Sequence, residues 1–195
     1  MVIRLCDIVF SFLGLILLSP LFLAIMLLIW LDSGWPPFYL QTRVGKDNRD
    51  FRLIKFRSMR AGADSKGGLT IGLRDSRITR TGHFLRRHKL DELPQLLNVL
   101  KGDMSLVGPR PEVRQFVDHY TPEQKRVLSV RPGITDHASL DYIDENELLG
   151  KAENPVQYYI SDIMPAKITL NMLYIDHPTF ANYCRILWKT LRKLF

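Results

Sequence analysis

The sequence predicts a mostly α-helical α+β protein with one short β-hairpin, in which an N-terminal membrane-inserting segment precedes a small domain. Three observations predict it. Ile8 to Leu31 is a run of 24 residues without a charge. Apolar residues recur at helical spacing over residues 80–100, 155–175 and 181–195. Residues 38–57 alternate, with a turn cluster between two β-prone pieces. A chain of 195 residues is long enough for one domain with a real core, and length alone does not call for two.

The uncharged run exceeds the roughly 20 apolar residues a helix needs to cross a bilayer. It is too long for the apolar part of a cleaved signal, Asp7 stands where basic residues belong, and no Ala-x-Ala site follows, so the segment is expected to be retained. Ser19-Pro20 interrupts its middle. Proline removes a backbone donor and clashes with the preceding turn, so a kink belongs there. Two arrangements follow. One is a kinked spanning helix, tolerated because hydroxyls and neighbours satisfy the freed backbone. The other is a re-entrant helix-break-helix, since each half, at about 12 residues and about 18 Å, falls short of the roughly 30 Å hydrocarbon core. The residues alone leave both open.

Gly34-Trp35-Pro36-Pro37-Phe38-Tyr39 ends the helix with aromatics suited to the headgroup level. The division expected is therefore a membrane segment over 1–35 and a second, membrane-associated part over 36–195, which the resemblance drawn below makes the catalytic domain. The hairpin turns at Gly45-Lys46-Asp47-Asn48, and a Gly/Ser-containing loop from Ala61 to Gly72 follows it. Arg80 to Leu100 holds two helices meeting at Lys89 to Pro94, with Asp91 as N-cap and Pro94 in the first turn of the second. Gly102 to Glu112 reads as a loop whose Pro109-Arg110-Pro111 fixes the backbone on both sides of one arginine and so aims it. Thr121-Pro122-Glu123 opens a helix and Arg131-Pro132-Gly133 closes it. In the last segment Tyr183, Leu187, Leu191 and Leu194 form a stripe, with Arg185, Lys189, Arg192 and Lys193 for the other side. That pattern fits an interfacial helix on anionic lipid, or equally a helix packed on the core with a solvated basic face.

Charge separates two regions. Residues 43–101 carry 15 Lys or Arg against 6 Asp or Glu within a chain of net charge +7, which calls for an anionic partner. Residues 134–162 carry seven acids against the single base Lys151. No nucleic-acid motif or set of stacking aromatics accompanies the basic block, so nucleic acid is not the partner expected. Cys6 and Cys184 form neither a metal spacing nor a disulfide framework. His83, His88, His119, His137 and His177 make no ligand pattern, and there is no Walker loop and no G-x-G-x-x-G. Asp141, Asp144, Glu145 and Glu147 lack the spacing and glycine of a calcium loop and read as a solvated acidic loop.

Asp91-Glu92 is the pair that invites chemistry. Arg86, Arg87, His88 and Lys89 precede it, and Arg110 follows on the rigid loop. A carboxylate among cations and helix-terminal amides stays ionised, and the same cations neutralise a phosphate brought against it. That suits nucleophilic carboxylate chemistry on phosphorus. A capped helix with surface ion pairs explains the same local features.

The residues resemble the monotopic phosphoglycosyl transferases, the bacterial initiating sugar transferases of polyprenol-linked glycan synthesis. The resemblance is carried by the apolar segment with Ser19-Pro20, by Gln41-Thr42-Arg43-Val44-Gly45, by Lys55-Phe56-Arg57-Ser58-Met59, by LDELPQLLNVLKGDMSLVGPRPE from Leu90 to Glu112, and by Arg131-Pro132-Gly133-Ile134-Thr135. It implies that Ser19 and Pro20 make a re-entrant break, placing a monotopic enzyme on the cytoplasmic face of the bacterial inner membrane. It implies a ping-pong transfer of a sugar 1-phosphate from a UDP-sugar to undecaprenyl phosphate with release of UMP. Asp91 would attack, Glu92 would complete the dyad, and both would hold Mg2+. Arg86, Arg110, Pro109 and Pro111 match substrate and phosphate positions, as do Arg57 and Arg131. Where many members continue with Gly-Trp-Ala-Gln, this chain has Asp136-His137-Ala138-Ser139, which leaves the sugar and the glycan pathway open. A membrane-anchored basic scaffold without catalysis would explain the charge but not the motif.

Overall fold

A computed structural model describes residues 1–60, 62–63, 75–142 and 145–194. Most of the loop read over Ala61 to Gly72, and Asp144 of the acidic segment, lie outside those residues. The predominantly helical α+β reading holds.

Two helices open the chain, α1 (Val2–Leu17) and α2 (Ser19–Ser33), bent by 62° at the intervening residue. Proline causes the break: Pro20 sits in the first turn of α2, where its missing amide hydrogen costs nothing, and Ser19 Oγ donates to the Ile16 carbonyl at 2.8 Å. Neither helix alone is long and apolar enough to cross a membrane, whereas the bent pair is. Phe10, Phe12, Leu13, Leu17, Leu23 and Leu31 are exposed along it. The hairpin follows as β1 (Phe38–Val44) and β2 (Asp50–Phe56), antiparallel, with Gln41 opposite Leu53.

Phe56, at the end of β2, is buried against Ile25, Ile29 and Leu85, joining the strand to α2 and to α3 (Arg80–Arg87). Burying such a side chain contributes about 1.5–3 kcal/mol. Gly82 lets α3 sit this close to the strand end, because a Cβ there would stand 2.0 Å from the Ser58 carbonyl oxygen. A short 3-10 turn over Leu90–Glu92 leads into α4 (Gln95–Lys101). Asp91 is not the N-cap expected of it. Pro94 holds that place, and Asp91 lies in the turn before it.

The loop expected over 102–112 contains a strand, β3 (Ser105–Val107), parallel to β4 (Gly133–Thr135). Three residues each are too few to show alternation, and the pair depends on close backbone approach: a Cβ on Gly133 would meet Gly108 N at 2.1 Å. Short helices α5 (Arg114–Val117), α6 (His137–Asp141), α7 (Glu145–Lys151) and α8 (Pro155–Tyr158) follow in order. A π-turn over Tyr159–Ile163 joins α8 to α9 (Met164–Ile175). The helix predicted after Thr121 is a 3-10 helix, Gln124–Ser129, and the acidic segment is partly helical rather than a loop. Phe116, Val127, Tyr159, Ile163 and Ile168 form the largest core.

The last helix, α10 (Phe180–Leu194), buries Tyr183 and Ile186 against Val107 and Tyr174. The stripe is thus displaced from the one predicted: Leu191 is exposed, as are Trp188 and Phe180.

Both flanks of the N-terminal pair are tied to the same domain. Asp7 Oδ1, on α1, accepts from Ser105 Oγ at 3.0 Å, Leu106 N at 2.9 Å and Tyr183 Oη at 2.9 Å. Arg4 donates to the Val99 and Leu100 carbonyls that end α4. At the other flank, Asp32 accepts from Thr81 N at 2.8 Å, at the start of α3.

Candidate active site

Three elements bring the charged groups together. The 3-10 turn presents Asp91 and Glu92, β2 presents Lys55, and the loop after β3 presents Arg110. Lys89 precedes the turn in the left-handed region, with φ of 56°, and this reversal swings the two acids away from α3 and toward the strand. Asp91 is 5% exposed. Among the described residues no side chain donates a hydrogen bond to its carboxylate, although Lys55, Arg86 and Arg110 all act on it through charge. Glu92 is held differently. Arg110 Nη1 donates to its Oε2 at 3.0 Å, Arg110 Nη2 donates to its Oε1, and Lys55 Nζ lies 3.5 Å from Oε1.

Burial raises the Asp91 carboxyl above the usual aspartate value, and the neighbouring Glu92 charge raises it further. Burial acts the same way on Glu92, but Arg110 and Lys55 overcome it and hold that carboxyl well below the usual range. Two adjacent acids thus take two states. Glu92 is the fixed anion and Asp91 the more basic of the two carboxyls. Burial pushes the Lys55 ammonium down to about 8, against the pull of Glu92. Burial likewise lowers Arg86, against Asp91 and Asp75.

Asp91, Glu92, Arg86 and Arg110 therefore converge, while Pro109 and Pro111 frame the loop. Pro109 O accepts from Gly133 N at 3.0 Å and Pro111 O accepts from Arg43 Nη1 at 3.0 Å. Arg57 and Arg131 are occupied elsewhere. Arg57, with β2's last residue before it, turns toward α2 and caps it: Nη2 donates to Ser33 O at 2.9 Å, Ser33 Oγ at 3.1 Å and Gly34 O. Arg131 Nε donates to Gly102 O at 2.9 Å. Motif membership singled out these arginines but says nothing about which way a side chain leaves the strand. Lys55, two residues from Arg57 in the same motif, is the site cation that sequence reading left without a role; it lies inside β2 whereas Arg57 follows the strand's last residue, so strand alternation does not carry from one to the other.

The donor set can be tested against a divalent ion. Among the described residues no group of three or more His, Cys, Asp or Glu is gathered for a metal. Asp91 and Glu92 form a pair, the first with no side-chain hydrogen-bond donor among the described residues, and this fits magnesium, which takes one or two carboxylates and completes its shell with water and phosphate oxygens. It does not fit an ion that needs a full protein cage.

A family model described as bacterial sugar transferase matches residues 1–195. The chain is 48% identical over 137 residues to the UDP-N-acetylgalactosamine-undecaprenyl-phosphate N-acetylgalactosaminephosphotransferase of Aeromonas hydrophila, covering 69% of this chain and 32% of that protein. It is 38% identical over 191 residues to the uncharacterized sugar transferase EpsL of Bacillus subtilis, covering 98% and 86%. It is 40% identical over 185 residues to the UDP-glucose:undecaprenyl-phosphate glucose-1-phosphate transferase of Escherichia coli, covering 91% and 39%. The chain thus spans well under half of two of these relatives and most of the third.

Proposed function

The chain belongs to the bacterial sugar transferase family, and on that footing we propose that it is a phosphoglycosyl transferase that moves a sugar 1-phosphate from a UDP-sugar to undecaprenyl phosphate. The observation that carries the proposal is the buried Asp91 carboxylate, unengaged by hydrogen bonds from the described residues, beside a Glu92 locked by Arg110 and Lys55. A scaffold has no use for a buried acid left in that state.

Asp91 attacks the donor's β-phosphorus. The bond from that phosphorus to the oxygen bridging the two phosphates breaks, UMP leaves with that oxygen, and the sugar phosphate stays as an ester of the carboxylate. A phosphate oxygen of undecaprenyl phosphate then attacks the same phosphorus, Asp91 leaves as carboxylate, and the polyprenyl diphosphate sugar is formed. Arg86, Arg110 and Lys55 stabilise the charge on the equatorial oxygens. Glu92 keeps Arg110 and Lys55 charged and in place. Asp91 and Glu92 would hold magnesium, which when bound supplies further positive charge to the diphosphate.

We place residues 1–35 in the bacterial inner membrane as a re-entrant hairpin and residues 36–195 on its cytoplasmic face. The support is mechanical. Arg4 and Asp7 at one flank and Asp32 and Ser33 at the other are all bonded to the same small domain. A straight span would carry its flanks to opposite sides, roughly 30 Å apart.

Purified full-length protein with magnesium, undecaprenyl phosphate and a panel of UDP-sugars tests the proposal through UMP release. Release with one donor, lost in Asp91→Asn, is the expected result, and a covalent sugar-phosphate adduct on the wild type should be visible by intact mass. Equal activity in Asp91→Asn would overturn the mechanism.

A further inference from the structure

We infer that Asp136 is a positioning residue for Arg110, fixing the backbone of the Pro109-Arg110-Pro111 loop where the guanidinium can reach Glu92. The inference rests on the proposed function for what Arg110 handles, a diphosphate.

Between two prolines, Arg110 carries the one backbone N–H of the tripeptide. That single donor goes to Asp136 Oδ2 at 2.8 Å. Pro109 and Pro111 are buried, and the loop forms one wall of a cavity also lined by Val44, Tyr159, Ile168 and Asn171. Beside that packing, three hydrogen bonds fix its backbone: Gly133 N to Pro109 O, Arg43 Nη1 to Pro111 O, and the Arg110 amide to Asp136 Oδ2. Of these, the bond to Asp136 is the one made at the residue that grips Glu92.

Asp136 is itself over-determined. It is 2% exposed, and Oδ2 also accepts from Asn171 Nδ2 at 3.0 Å while Oδ1 accepts from Ser139 N, capping α6. The three groups facing the carboxylate are all donors. A carboxylate satisfies them and a carboxamide does not, because its NH2 would oppose one of the N–H groups. The site therefore demands Asp rather than Asn. The same carboxylate joins α6, α9 and the loop, so the arginine's position is referred to the domain rather than to the loop alone.

The test is a double-mutant cycle on the full-length protein, with wild type, Asp136→Asn, Arg110→Ala and the double variant compared by kcat/KM for UMP release. Misplacing Arg110 should cost Asp136→Asn about tenfold to a hundredfold in kcat/KM. With Arg110→Ala already present, the same change should cost little, about threefold or less, because the group it positions is gone. Fully additive losses, or an unchanged kcat/KM in Asp136→Asn, overturn the inference. Should Asp136→Asn fail to fold, Asp136→Glu, which keeps the charge and shifts the acceptor by one methylene, takes its place in the cycle and is read by the same criterion. Should the wild type release UMP with no donor, it is the functional proposal that fails, and the cycle is then read on UDP affinity by calorimetry, where additivity again overturns the inference.

Discussion

Arg110 grips Glu92 through both terminal guanidinium nitrogens, Nη1 lying 3.0 Å from Oε2, whereas no side chain among the described residues donates a hydrogen bond to the adjacent Asp91 carboxylate. Neighbours in sequence are thereby divided into an ion-paired anchor and an acid touched by its cations through charge alone, and the two should respond differently to neutralisation.

Glu92→Gln leaves the half-buried Lys55 and the part-exposed Arg110 without their anion and, with solvent screening part of the loss, should lower stability by about 1–2 kcal/mol. Asp91→Asn removes no hydrogen bond from the described residues and relieves a buried like-charge contact, so it should leave the unfolding midpoint unchanged or raised while abolishing activity. Denaturation of both variants in one detergent checks the contrast. Equal destabilisation would contradict the division.

Lys55 should set an alkaline limit. Its ammonium is held down to about 8, so the charge facing Glu92 is present below that pH and is lost as pH rises through it. The pH profile of kcat/KM, which reports the free enzyme, should fall above about 8. In Lys55→Arg, where the charge persists, the fall should move to higher pH. A limb that stays put assigns it to another group.

Asp7 should be the strongest single tie between α1 and the domain, because three donors converge on one of its oxygens. Asp7→Ala leaves those donors unpaired and should cost about 3 kcal/mol or more, whereas Tyr183→Phe removes one bond and should cost about 1 kcal/mol. Thermal unfolding ranks the two. Proteolysis at the start of α1 should accelerate only in the former.

Cysteine labels placed at residue 2 and at Ser33, one at a time, should both react from the cytoplasmic side in intact cells. A label reached only from the outer side at either position would make the pair a spanning segment. Pro20→Ala should straighten the 62° bend and admit that spanning arrangement.

Much of this was legible locally. A 24-residue run without charge, interrupted by Ser19-Pro20, announces a broken apolar helix pair because backbone chemistry at proline acts over one turn. The hairpin, the two helices flanking Asp91, and the aimed Arg110 likewise follow from periodicity and from the prolines beside them.

Pairing at long range was not legible. Asp7 meets Ser105 and Tyr183 across 98 and 176 residues, Glu92 takes Arg110 from 18 residues on, and Arg57 turns from the expected phosphate to cap α2. The parallel β3–β4 pair is too short to leave a period, and it exists only because glycines let two backbones meet. Local sequence specifies dihedrals and faces, whereas the partner of a buried charge is chosen by which distant donors the packed core brings within 3 Å of it, and only the tertiary structure makes that choice.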